Sequence, residues 1–152
     1  MLTAQIESYA ENLQAMQEMY PAHWEELALN KDKVPLDPDY PSYLARDRQG
    51  EILHATVREG GKIVGYFVGF IGPALHYRTC LTLTMDIFWV APEARGAALA
   101  GVKLFRAVEA EARRRGVQRL FYGSKLHRDA SRLFEYLGCE PVETFYSKWI
   151  GS

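Results

Sequence analysis

At 152 residues, with 48% hydrophobic and 12% aromatic side chains, the chain is long enough to bury one real core and short enough to read as one domain, residues 1–152. The net charge of −1 and the lack of any low-complexity segment argue against a disordered chain and against a broad nucleic-acid footprint. The longest apolar run, Ile63 to Ile71, is interrupted by Gly65 and Gly69 and falls far below the roughly 20 residues that a membrane-spanning helix needs.

Along the chain, Ile6, Tyr9, Leu13, Met16 and Tyr20 recur near helical spacing, so Thr3 to Met19 reads as an amphipathic first helix. Pro21 suits the first turn of a second helix through His23, Trp24, Leu27 and Ala28, fading at Asn30-Lys31-Asp32. Residues 1–32 thus form a helical segment, in which only Met1 and Leu2 precede the first helix. Pro35, Pro38 and Pro41 mark a loop. Leu53, Ala55 and Val57 alternate with His54, Thr56 and Arg58 as a half-buried strand, and Gly60-Gly61 is a strong hairpin signal. Lys62 to Ile71 returns as a more buried strand, Gly72 to Thr79 reads as a loop, and Leu81 to Val90 is the next strand.

From Met85 to Gly116 the chain changes character. Pro92 ends the strand by removing a ladder donor, and Arg95-Gly96-Ala97-Ala98-Leu99-Ala100-Gly101 carries little side-chain bulk into a helix start. A helix start has unpaired N–H donors and a partial positive charge, so a phosphate or pyrophosphate fits there, with Arg95 as an added cation. The same residues also suit an ordinary strand-to-helix connection. Val102, Phe105, Val108 and Ala112 form the buried stripe of the long helix, capped by Gly116. Gln118 to Tyr122 reads as a strand, Asp129 to Leu137 as a short helix stopped by Gly138, and Val142 to Ile150 as a closing strand.

Val90-Ala91-Pro92-Glu93-Ala94-Arg95-Gly96-Ala97-Ala98-Leu99-Ala100 resembles the acetyl-CoA-binding motif of the GNAT acetyltransferases, V-x-P-x-x-R-G-x-G-x-G/A. Ala98 stands where that family usually has Gly. Ala130 to Cys139 looks like the family's A-x-x-L-Y-x-x-x-G-F helix, and the likeness covers about residues 50 to 150. The resemblance implies an α/β fold, a mixed sheet flanked by helices, with a CoA-binding core at residues 51–150. It also implies acetyl-CoA as cosubstrate and transfer of its acetyl group to a primary amine in a ternary complex. Members commonly begin with a strand before the first helix; here that strand is expected to be missing.

For the cosubstrate, the resemblance nominates Phe88, Trp89 and Val90 along the strand, then Arg95 through Gly101, with Phe134 on the last helix. Transfer also needs a deprotonated amine, a donor for the thioester oxyanion and a proton for the leaving thiolate. Asp86 is an acid in an apolar strand, on the same side as Phe88 and Val90 by simple alternation, where it is costly without a task or partner. The family often places a Glu there. A water relay to the shorter Asp86 fits the catalytic reading, and a bond to a nearby loop or to Arg78 fits the structural one. Phe134 matches a frequent family Tyr and has no proton to give. His127, where the family often has Asn, is the second catalytic candidate, and equally a surface residue.

Residues 93 to 132 hold ten Lys/Arg against four Asp/Glu, while the first thirty hold five glutamates and no Lys or Arg. A basic half suits an anionic cosubstrate, and an acidic remainder suits a cationic amine. Cys80 and Cys139 form no C-x-x-C pattern and the four histidines show no ligand spacing, so no metal is expected. With Glu7 and Glu11 near the N-terminus and no basic cluster, a cytoplasmic protein is expected, with no membrane or nucleic-acid partner and a homodimer left open. The competing reading is a CoA-binding or protein-interaction module on the same fold that has lost catalysis.

Overall fold

The computed structural model describes residues 1–96 and 99–152. Its elements are β1 (Leu2–Ile6), α1 (Leu13–Leu27), α2 (Tyr40–Arg48), β2 (Ile52–Glu59), β3 (Lys62–Ala74), β4 (Tyr77–Val90), a 3-10 turn at Pro92–Ala94, α3 (Leu99–Arg114), β5 (Arg119–Phe121) and α4 (Ser131–Tyr136). The strands lie in the order β1-β2-β3-β4-β5. Each of the first four runs antiparallel to its neighbour, and β5 joins β4 in parallel after the α3 crossover. This is a mixed α/β sheet with helices on both faces.

The expected missing strand is present. β1 pairs antiparallel with β2 from Leu2↔Glu59 to Ile6↔Ala55. Leu2, Ala4 and Ile6 alternate at period two, and β2 would otherwise be left as a bare edge. Glu7 fastens the join, accepting from Arg58 at 2.9 Å and from the Thr56 hydroxyl. Helical spacing from Ile6 to Tyr20 therefore misled, because only its later half lies on a helix. α1 then runs unbroken through Pro21, although the ring removes one helix donor. Tyr20 and Leu27, on either side of that proline, pack on the sheet and hold both halves to one face.

Two further expectations fail at the polar positions of the sequence. Tyr40–Arg48 is a helix within and beyond the proline-marked loop: Asp39 caps it by accepting from the Ser42 N–H at 3.1 Å, and Pro41 lies in its first turn. β2 is buried along Ile52 to Val57 because both its faces are covered. His54 bonds the Asn12 amide at 3.1 Å and the Phe67 carbonyl at 3.0 Å, which is how a polar residue is accommodated there.

At the Gly60-Gly61 turn, φ is 58° and 83°, the left-handed pair that a two-residue hairpin requires. The expected loop from Gly72 to Thr79 is far shorter, since Ala74 already pairs with Tyr77. The closing strand does not form: residues 139 to 152 carry no regular structure, and Phe145, Tyr146 and Ile150 are exposed. Alternation alone does not make a strand: the segment pairs with none of the described strands, and β5 has β4 as its one strand neighbour among the described residues.

Two apolar layers sandwich the sheet. On one face Leu104, Phe105, Val108 and Ala112 of α3, joined by Phe134 of α4, pack on Leu53, Val57, Phe67 and Leu83. On the other, Met16 and Tyr20 of α1 pack on Tyr66, Val68 and Trp89, with Tyr40 and Tyr43 of α2 alongside. Phe105 is the hub of the first layer, in edge contact with Phe67, Phe88, Tyr122 and Phe134. Phe105→Ala should cost about 3–5 kcal/mol in chemical denaturation; a loss below about 1 kcal/mol would show that these rings do not depend on it.

Candidate functional site

The site begins with a mismatch in strand length. β5 pairs with β4 only at Thr82↔Arg119, Leu83↔Leu120 and Thr84↔Phe121, whereas β4 continues to Val90. From Met85 onward β4 keeps β3 on one side and has no strand partner on the other, among the described residues. A backbone edge left open between two parallel strands is a template for an extended chain of donors and acceptors.

A β-bulge sits at the start of that open edge. Val68 pairs with Ile87 and Gly69 with Met85, so Asp86 is the extra, unopposed residue. The bulge breaks the alternation, and this corrects the sequence reading. Phe88 and Val90 pack in the α3 layer, while Asp86 turns to the α1/α2 side and accepts from the Tyr43 hydroxyl. Its partner is therefore on a helix that the sequence reading left out, not Arg78. Partial desolvation holds the Asp86 carboxyl above its ordinary pKa, opposed by the Tyr43 hydroxyl and by the charge of Arg46. Arg46 lies over the Phe70 ring at 4.9 Å, and Asp39, Ser42, Tyr43, Arg46 and Phe70 line a shallow cavity of about 140 Å³ there.

The other nominated residues divide by face. Phe88 stacks edge-on against Phe134 at 5.9 Å, and Phe134 is buried among Phe105 and Tyr122. The Tyr122 hydroxyl, just past the last paired residue of β5, is buried with no hydrogen-bond partner among the described residues. Burial raises its pKa, so it stays protonated. Trp89 and Val90 are buried, and the Val90 carbonyl accepts from Arg95 Nε at 2.8 Å. Gly96 is exposed, and a Cβ there would meet nothing within 4 Å among the described residues. Leu99 is exposed at the start of α3. Ala100 is buried, and a Cβ on Gly101 would come within 3.0 Å of Leu133, so these two small residues serve the packing of α3 on the core and α4. Ala97 and Ala98 lie outside the described residues. His127 is exposed on the loop between β5 and α4.

The sequence pointed to the first helices as the acceptor side but nominated neither His23 nor Glu26 of α1. His23 and Glu26, one turn apart, share a helix face. His23 Nδ1 lies 2.6 Å from the Tyr66 hydroxyl, and its ring stacks on Trp89; burial pushes its pKa down to about 4, so it is neutral at pH 7. Glu26 accepts from Trp89 Nε1 at 3.2 Å, from Arg95, and from Arg128 at 2.8 Å. Its pKa is lowered to about 2, first by the Arg95 hydrogen bond.

An open strand edge, a carboxylate on a bulge beside it and a small-residue loop headed by an arginine lie together at the end of β4. The chain belongs to the GNAT acetyltransferase family, since the profile of the Acetyltransferase (GNAT) family matches residues 13–138. Similar solved structures share the fold at low identity. An aminoglycoside acetyltransferase from an uncultured soil metagenomic sample is 15% identical, with TM-score 0.75 and 99% of each chain covered. Glucosamine-6-phosphate N-acetyltransferase from Arabidopsis thaliana is 13% identical, with TM-score 0.72 and 99% of each chain covered. A predicted acetyltransferase from Clostridium acetobutylicum, solved with acetyl-CoA, is 14% identical, with TM-score 0.67 and coverage of 99% of this chain and 97% of that one. No curated protein matches. Among the described residues no helix is long and apolar enough to cross a membrane.

Because the Tyr43 hydroxyl lowers the Asp86 pKa, Tyr43→Phe should move it further up, as followed by carbon NMR of the carboxyl through a pH titration. An unmoved or lower value would mean that the bond is not made in solution.

Proposed function

We propose that the chain is an acetyl-CoA-dependent N-acetyltransferase acting on a primary amine. The observation that carries the reading is the coincidence of the open β4 edge with the Asp86 bulge. The structure with acetyl-CoA in the Clostridium acetobutylicum relative, and the amine-acting names of the soil and Arabidopsis thaliana relatives, support the same chemistry at family level.

In this reading acetyl-CoA, a substrate, lies along β4 from Met85 to Val90, with its phosphates toward Arg95, Gly96 and the start of α3. The open space at Gly96 and the exposed start of α3 fit that group. The amine approaches from the α1/α2 side, past Tyr43 and Arg46. Asp86 attracts the ammonium form and takes its proton through a water, since an aspartate is too short to reach far. The amine nitrogen then bonds the acetyl carbon, the carbon–sulfur bond breaks, and the sulfur leaves with a proton. Phe134 cannot supply that proton. Tyr122, whose ring packs 5.2 Å from Phe134, is the phenol that stands beside it.

Asp86→Asn should lower kcat about a hundredfold while the acetyl-CoA KM changes by less than about twofold. Unchanged turnover would make Asp86 structural. Base catalysis needs ionised Asp86, so activity should rise with pH through its raised pKa, and the rise should shift to higher pH in Tyr43→Phe.

Tyr122→Phe should lower kcat about tenfold and leave CoA affinity unchanged. If kcat holds, solvent supplies the proton. The absence of a proton on Phe134 favours a second reading, a CoA-binding module without turnover. Thiol release assayed over a panel of amines separates the two, and turnover on any of them removes the second.

A further inference from the structure

The charged cluster at the C-terminal end of α1 has no part in the chemistry at Asp86. Glu26 there joins four segments through one carboxylate. Oε1 accepts from Trp89 on β4 and from Arg95 ahead of α3, and Oε2 accepts from Arg128 on the loop between β5 and α4. Arg95 is fixed a second time, by its Nε bond to the Val90 carbonyl.

Depth orders the three charges. The Glu26 side chain is 16% exposed, Arg95 33% and Arg128 54%. The carboxylate thus lies underneath and the guanidiniums lie toward solvent. Two cations on one anion leave a surplus positive charge, and Lys125 adds to it, near enough to weaken proton binding at His23. A guanidinium carries five N–H donors; the bonds named here use two from Arg95 and one from Arg128. Arginine pairs of this kind match phosphate oxygens, and a carboxylate behind them offsets their mutual repulsion.

We propose that Glu26 is a positioning residue, holding Arg95 and Arg128 together as a two-pronged clamp for the phosphates of acetyl-CoA. The inference rests on the acetyl-CoA reading above. Arg95 stands at the head of the loop that leads into α3, and Arg128, on the loop between β5 and α4, meets the other oxygen of the same carboxylate. Glu26 touches neither the acetyl group nor the amine, so it acts on affinity and not on the chemical step.

Calorimetry with CoA, with pantetheine and with inorganic pyrophosphate tests this on wild type, Glu26→Gln, Arg128→Gln and the double variant. Glutamine keeps an acceptor for Arg95 and Trp89 but turns an amide toward Arg128. Glu26→Gln should weaken CoA about tenfold, leave pantetheine unchanged, and raise the acetyl-CoA KM with kcat held within about twofold. Arg128→Gln, at the exposed end of the cluster, should act in the same direction, and the double variant should lose little more than either single one.

CoA affinity within about twofold of wild type in both single variants would overturn the clamp. So would tighter binding by Glu26→Gln, which would make the carboxylate a competitor of the phosphates. If wild type ignores CoA but binds pyrophosphate, and both variants lose it, the acetyl-CoA reading falls and the phosphate clamp stands. Wild type that binds neither removes both.

Discussion

The parting of β4 from β5 after Thr84 and Phe121 is the constraint on which the rest of the molecule depends. A three-residue strand cannot satisfy the edge of a fourteen-residue one, so Met85 to Val90 present backbone on that side without a strand partner. Backbone groups in a protein interior are rarely left without partners. Phe88 on β4 and Tyr122 just past β5 each pack against Phe105 and Phe134 of the helices, with ring centroids 4.8 to 5.9 Å apart. Packing on one face thus positions the strand end, while the other face is left to α1 and α2.

Two carboxylates near that strand show how environment divides labour. Asp86 sits on a bulge with one hydroxyl partner, and desolvation raises its pKa toward the range of a useful base. Glu26 receives two guanidiniums and an indole N–H, which hold it at about 2 and ionised under all physiological conditions. Burial shifts the first carboxylate toward its protonated form, and the paired guanidiniums shift the second away from it. Both lie on the same face of the sheet, and Glu26 bonds Trp89, three residues along β4 from Asp86.

Much of the frame was legible because short-range signals and burial agree within it. Gly60-Gly61, the β3 and β4 runs, the small-residue loop into α3, and the Gly116 and Gly138 stops all encode local geometry. What escaped depends on contacts distant in sequence. β1 is a strand because β2 has an edge to fill, and its apolar residues also happen to extend a helical period. α2 hid behind prolines, one of which begins the helix instead of preventing it. The last segment, Val142 to Ile150, has the alternation of a strand and pairs with none of the described strands.

The candidate site divides in the same way. Asp86 and Arg95 stood out as residue types in unusual places, but the direction of Asp86 did not, since one extra residue in the ladder moves it to the opposite face. Tyr43, His23 and Glu26 carried no motif. Only the folded sheet brings α1 and α2 onto the end of β4. Their signal in the sequence was the cluster of glutamates in the first thirty residues, which located the acidic side without naming its member.

Amide hydrogen exchange on the whole chain, with and without saturating CoA, tests most directly whether the open strand edge is the binding surface. An arm paired along β4 should slow exchange within Asp86 to Val90 and at the start of α3, and leave β1 and β2 unchanged. Unaltered exchange across Asp86 to Val90 in protein that demonstrably binds CoA would contradict the pairing and place the ligand elsewhere.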